Sequence, residues 1–206
     1  MNNKSIVLVH IGKCGGTTVH NLLMEKKIKH RTIHIKKCRF NNNEQYIILL
    51  RNPIKRFISA FNWRYMLAVD QKRQRERFKG EKEVLEKYKT VNGLAEQIAA
   101  FDINESYIHH IKEDINYYLE DILKECKKEN ILAVMTTETL NKDLSDLFNI
   151  ENKELKINQN SKQYDTTLSE LGYENLKKYL VKDYECITKL YEMGVLSEEK
   201  YKFLSL

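Results

Sequence analysis

The chain has 206 residues, 42% hydrophobic and 31% charged, with a formal charge of +6. That is one ordinary globular domain, residues 1–206, rich enough in apolar residues to build a core and too rich to be disordered. No apolar run approaches the ~20 residues that span a bilayer, the Ile6–Val9 run is too short for a signal peptide, and no nucleic-acid motif accompanies the positive charge. The expectation is a protein of the cytoplasm with no integral membrane segment, one that binds an anion but not nucleic acid. Four cysteines, Cys14, Cys38, Cys126 and Cys186, lack paired spacing, so neither a disulfide framework nor a metal site is expected.

Ser5–Ile11 is a Val/Ile/Leu run of the kind buried on both faces of a parallel sheet. The loop after it holds Gly12, Gly15 and Gly16, three of only seven glycines in the chain. A helix is expected from about Thr17, with Val19, Leu22 and Leu23 on its apolar face. Arg31–Lys36 reads as a short strand and Tyr46–Leu50 as another buried one. Pro53, the single proline, suits the first turn of the next helix, where its missing N–H costs nothing. Ile54, Phe57, Ile58 and Phe61 follow at helical spacing.

From Gln71 to Lys89 eight basic residues stand against four acidic ones, which predicts a solvated helix. Ile108, Ile111, Ile115, Leu119, Ile122 and Cys126 predict one helix over 108–127. Ile131–Met135 is a further strand and Glu138–Phe148 a helix. Helices broken near Gly172 and Gly194 finish the chain from Leu168 onward. Strands alternating with helices predict an α/β fold, a three-layer, P-loop-like arrangement with a mainly parallel central sheet.

Strand, glycine-rich loop and helix together aim backbone N–H groups and a helix dipole at phosphate. Here the loop is His10-Ile11-Gly12-Lys13-Cys14-Gly15-Gly16-Thr17-Thr18, with Lys13 adding a cation and Thr17 and Thr18 hydroxyls. A nucleotide triphosphatase loop places its lysine directly before the Mg²⁺-binding Ser/Thr. Lys13 instead precedes the paired glycines, so the order is wrong for that motif.

The segment resembles the His-Ile-Pro-Lys-Thr-Gly-Gly-Thr loop of carbohydrate sulfotransferases related to the heparan sulfate 2-O- and 6-O-sulfotransferases. Gly12 stands at the family's proline, which predicts a looser turn. Cys14 stands at its threonine, which removes a hydroxyl. A second segment, Arg51-Asn52-Pro53-Ile54-Lys55-Arg56-Phe57-Ile58-Ser59, resembles the family's Arg-Asp-Pro signature, with Asn52 in place of aspartate. The resemblance implies a sulfotransferase using 3′-phosphoadenylyl sulfate (PAPS) as donor and releasing 3′-phosphoadenosine 5′-phosphate (PAP), without a metal. It implies that Lys13, Cys14, Gly15, Gly16, Thr17 and Thr18 hold the 5′-phosphosulfate, and that Arg51 and Ser59 hold the 3′-phosphate. Arg56, on the helix face of Ser59, reads by itself as a surface salt-bridge partner.

Sulfuryl transfer to a hydroxyl needs alignment, charge stabilisation and a base. Lys13 is expected to meet charge on the leaving 5′-phosphate. Of six histidines, His109 and His110 stand roughly where relatives carry an active-site histidine, with His109 slightly favoured. As neighbours on a helix they are expected to point different ways; Glu105 and Glu113 are the nearest carboxylate alternatives. His10 is expected to be structural, His20 and His30 to be surface residues, and His34 is unassigned. Thr137-Glu138-Thr139-Leu140 resembles a family segment with a packing role, and Asn158-Gln159-Asn160-Ser161-Lys162 one that lies near the nucleotide. The expected acceptor is a carbohydrate or other hydroxyl compound. The alternatives are a phosphotransferase using ATP and Mg²⁺, with acidic ligands near the loop, and a module that binds nucleotides or anionic glycans without turnover.

Overall fold

The computed structural model describes residues 4–75, 77–100, 108–149 and 164–205. Glu105 and the Asn158–Lys162 stretch lie outside them. Four strands, β1 (Ser5–Val9), β2 (His30–Ile33), β3 (Glu44–Leu50) and β4 (Ile131–Thr136), form one sheet in the order β2-β1-β3-β4, every neighbouring pair parallel. Val7, Leu8 and Val9 are all fully buried, as are Ile47 and Ile48. Consecutive residues point to opposite faces of a strand, so helices cover both faces and the α/β fold expected from sequence is present.

The helices are α1 (Gly16–Glu25), α2 (Pro53–Tyr65), α3 (Glu81–Tyr88), α4 (Val91–Glu96), α5 (Ile115–Glu125), α6 (Leu140–Phe148), α7 (Glu170–Tyr179), α8 (Val181–Glu192) and α9 (Glu198–Ser205). Around the sheet the core gathers Val19, Leu23, Leu119, Ile122, Leu144 and Ile187. A second cluster joins Phe57 and Phe61 of α2 to Leu85, Leu94, Ile108 and Leu176. Among the described residues no helix is long and apolar enough to cross a membrane.

Three expectations are corrected. Among the described residues of the basic segment only Glu81–Tyr88 is helical, while 71–75 and 77–80 are turns and bends with positive φ at Lys72, Gln74 and Gly80. The predicted helix over 108–127 begins only at Ile115, where the Asp114 side chain accepts a hydrogen bond from the Tyr117 N–H. His109 and His110 therefore sit in a turn, and His110 has the unusual φ of 68°. Gly172 does not break a helix either: it lies in the first turn of α7, its N–H donating to the Ser169 Oγ cap.

β1 is the point where the sheet changes direction, because the chain leaves it for β2 on one side and returns as β3 on the other. In open α/β sheets ligands collect beyond the strand ends at such a point. The glycine loop leaves the end of β1 and Arg51 follows the end of β3, so the topology puts the two sequence motifs side by side.

Candidate functional site

A cleft of about 810 Å³ opens there. Lys13, Gly15, Gly16, Thr17 and Thr18 line it from the loop, Arg51 and Ser59 from the second motif, and His109 and His110 from the turn before α5. Residues as far apart as Lys13 and His110 thus meet in one space. Of the predicted site residues only Cys14 turns away: it is fully buried, its thiol donates toward the Gly12 carbonyl, and its N–H bonds to Ile11 O. Burial pushes the thiol up to about 12, so it is an inert packing group. The loss of a hydroxyl at this position has no consequence at the cleft, because the side chain does not reach it.

α1 begins beside the cleft with Gly15 in the left-handed region (φ 80°), no side-chain cap and no acidic residue in its first turn. Its positive end is left for an external anion. Lys13 also has positive φ (70°), and its Nζ lies 4.3 Å from the centroid of Trp63. Burial and then the charge of Arg51 bring the ammonium down to about 8. Arg51 in turn donates from Nη1 to the Lys13 carbonyl at 3.4 Å, tying the two motifs together.

Arg56, expected at the surface, is fully buried. Its Nη1 donates to the carbonyls of His110 (2.7 Å), Glu113 (3.3 Å) and Gly12 (3.4 Å). One guanidinium therefore joins the glycine loop to the histidine turn. Asn52, at the position where the similar sulfotransferase signature has aspartate, has a reason of its own: Oδ1 caps the Lys55 N–H and Nδ2 donates to Leu204 O in α9. A carboxylate cannot make the second bond. Asn52→Asp is expected to lose ~1–3 kcal/mol by urea unfolding at neutral pH, with the loss shrinking in acid as the new carboxyl regains a proton to donate.

The histidines are the largest departure from expectation. His109 and His110 point the same way, ring centroids 3.8 Å apart, because the turn and the left-handed His110 replace helical geometry. His34 lies 5.7 Å from His110 and stacks on His10 at 4.2 Å. Phe78 closes the other end, 4.4 Å from His109. Four imidazoles thus run in a column along the cleft. His10 and His34 both line it, while His20 and His30 hydrogen-bond each other at 3.0 Å. Burial, helped by neighbouring cations, holds His10 down to about 4 and His109 to about 3, and pushes His110 lower still. All three are neutral imidazoles at neutral pH.

The glycines serve this column. A Cβ on Gly12 would come 2.3 Å from His110 Nδ1, and one on Gly16 would strike the His10 ring. Glycine at the family's proline position is therefore where the His110 ring packs, and not merely a loosened turn.

His109 is fixed from two sides. Its Nδ1 lies 3.0 Å from Glu113 Oε2, which also accepts the His110 N–H at 2.8 Å. Its backbone N–H donates to Glu81 Oε1, and Glu81 is held by Arg64 in a buried bidentate pair at 2.8 and 2.6 Å. The turns before α3 thus form a wall, with Gln74 and Arg77 on the cleft. Sequence reading missed this wall, and also Trp63, although Trp63 stands four residues after Ser59 on the same helix face. Thr137 and Leu140, expected only to pack, also reach the cleft.

His109, His110 and Glu113 are the one group among the described residues whose side-chain atoms are close enough to hold a metal ion. Glu113 Oε2, however, is already engaged by two nitrogens. Among the described residues no carboxylate lines the cleft itself. For an anionic ligand the fit is good: a lysine, three arginines (Arg64 among them already paired with Glu81), hydroxyls and an uncapped helix start line it. No family model, curated protein or solved structure matches the chain.

Proposed function

We propose that the protein is a sulfotransferase that moves the sulfuryl group of PAPS to a hydroxyl of an acceptor, of the carbohydrate class by sequence resemblance. One observation carries the reading. A single cleft is lined by the Lys13 loop, by Arg51 with Ser59 and by two neutral histidines, with no acidic residue among its described lining residues. A phosphotransferase needs carboxylates to hold Mg²⁺ against the nucleotide, and the cleft offers donors instead. A binding module needs no buried, carboxylate-oriented imidazole. In the reaction Lys13 meets charge growing on the leaving 5′-phosphate oxygen. Arg51 and Ser59 hold the remote 3′-phosphate, and an imidazole takes the proton of the acceptor hydroxyl.

The test is thermal unfolding with nucleotides. PAP is expected to raise Tm without added metal, corresponding to ~2.7 kcal/mol at a hundredfold excess over Kd. ATP with Mg²⁺ should do less, since it lacks the 3′-phosphate. Equal effects, or a strict need for Mg²⁺, would favour the phosphotransferase.

A further inference from the structure

The two adjacent histidines have different surroundings at the same ring atom. His109 Nδ1 faces an oxygen, Glu113 Oε2, at 3.0 Å. That oxygen must accept from the His110 backbone N–H, which can only donate. Burial pushes the Glu113 carboxyl up, and the His110 N–H and the Arg56 charge oppose that rise; as a carboxylate it is an acceptor throughout, which puts the His109 proton on Nδ1 and the lone pair on Nε2.

His110 Nδ1 is buried with no hydrogen-bond partner. It packs over the bare Cα of Gly12, where an added Cβ would be 2.3 Å away. An N–H at that atom would be a buried donor with nothing to accept it. A lone pair there meets only the Gly12 Cα hydrogens, a weak but compatible contact. The His110 proton therefore belongs on Nε2, the nitrogen left for the cleft that the ring lines.

We propose that His109 and His110 present opposite tautomers to the cleft, His109 an Nε2 acceptor and His110 an Nε2–H donor, with Glu113 and the bare Gly12 backbone imposing the difference. Two side chains of one type then do two jobs. Resting on the sulfuryl-transfer reading, the assignment gives each a step. The acceptor O–H yields its proton to His109 Nε2 while its oxygen bonds to sulfur. The bond from sulfur to the 5′-phosphate oxygen breaks, its electron pair staying on that oxygen beside Lys13. His110 keeps its proton and donates a hydrogen bond to a sulfuryl oxygen. Glu113 is a positioning residue, acting through His109. The backbone supports the pairing: His110 O is held by Arg56 and His109 N by Glu81, so neither ring is free to turn with its peptide.

Ring-nitrogen NMR of the ¹⁵N-labelled protein at neutral pH tests this without any substrate. The signals are assigned by their absence in His109→Gln and in His110→Gln. Should either variant fail to fold, Phe78→Leu marks the His109 signals by their shift, through the lost ring stack. The expected spectrum has His109 protonated at Nδ1 and His110 at Nε2, and Glu113→Ala releases His109 into a tautomer mixture. Protonation of His110 at Nδ1, of His109 at Nε2, or an unchanged His109 in Glu113→Ala overturns the proposal.

Turnover with PAPS adds an independent arm. His109→Ala and His109→Gln should both lose roughly 10²–10⁴-fold. His110→Gln should lose less than His110→Ala, because an amide N–H can stand in for Nε2–H. Equal losses in the two His110 variants would remove the donor role. Correct tautomers in a protein that never turns over PAPS would instead sink the sulfotransferase reading and leave the tautomer assignment standing.

Discussion

Lys13→Ala is expected to lower kcat roughly a hundredfold, about 3 kcal/mol, while PAP affinity falls far less. Lys13 sits at the mouth of α1 in a left-handed conformation, its ammonium over Trp63, in the loop that resembles a 5′-phosphosulfate site. Negative charge on the 5′-phosphate oxygen grows as the sulfur leaves, so a cation there stabilises the transition state more than the bound donor. Arg51→Ala should behave in the opposite way. If Arg51 holds the remote 3′-phosphate, as proposed, it does so equally in both states, so KM and the PAP Kd should rise together with little change in kcat.

The same lysine sets an alkaline limit. Its pKa of about 8 in the free protein means that it is charged below that pH and neutral above it. Donor capture should therefore fall as pH rises past 8, with the limit moving upward once an anionic donor is bound. Initial-rate kinetics across pH, beside calorimetric titration of PAP, decide the matter. If Lys13→Ala changed only KM, the lysine would be a donor-binding group and not a stabiliser of the leaving group.

Much of this site was readable from sequence because its motifs are local. A buried strand, a glycine loop and a helix occupy consecutive residues, and Pro53 marks the start of α2 unambiguously. The parts that sequence concealed depend on long-range contacts. Arg56 reads as a surface residue because nothing near it in sequence signals the three carbonyls it serves. The wall before α3 reads as a solvated helix because its charge pattern carries no sign that Arg64 would bury Glu81. The histidine turn was misread for a different reason. Ile108, Ile111 and Ile115 are all buried, the first two in the second cluster and Ile115 in the core around the sheet, and a turn can bury residues at helical spacing as well as a helix can. The corrective was present in the sequence: Asp114 followed by Ile115-Asn116-Tyr117 is a helix start capped by aspartate. Read that way, the two histidines fall before the helix and are free to face one cleft.

Arg56→Met is expected to cost ~3–5 kcal/mol of stability, the scale for breaking a buried charge arrangement by removing one partner. Methionine keeps the length and apolar stem but leaves the carbonyls of Gly12, His110 and Glu113 without their shared donor. It also removes the guanidinium that faces the buried Asp183. Burial, then the nearby Asp114 charge, push Asp183 up to about 7, and Arg56 is the guanidinium that opposes this shift. A carboxyl whose folded pKa exceeds its unfolded value of ~3.9 binds more protons when folded, so stability falls as pH rises from about 4 to about 7. Without Arg56 the folded pKa climbs further and the fall continues to higher pH. The loss in Arg56→Met should accordingly be larger at pH 8 than at pH 5. Adding Asp183→Asn, whose amide oxygen can still accept the Asn116 N–H now bonded to Asp183 Oδ1, should recover part of the loss at pH 8 and little at pH 5. Urea unfolding of the four variants in the cycle measures each term. Equal losses at both pH values, with no recovery from Asp183→Asn, would mean that Arg56 acts only as the donor that holds the glycine loop against the histidine turn.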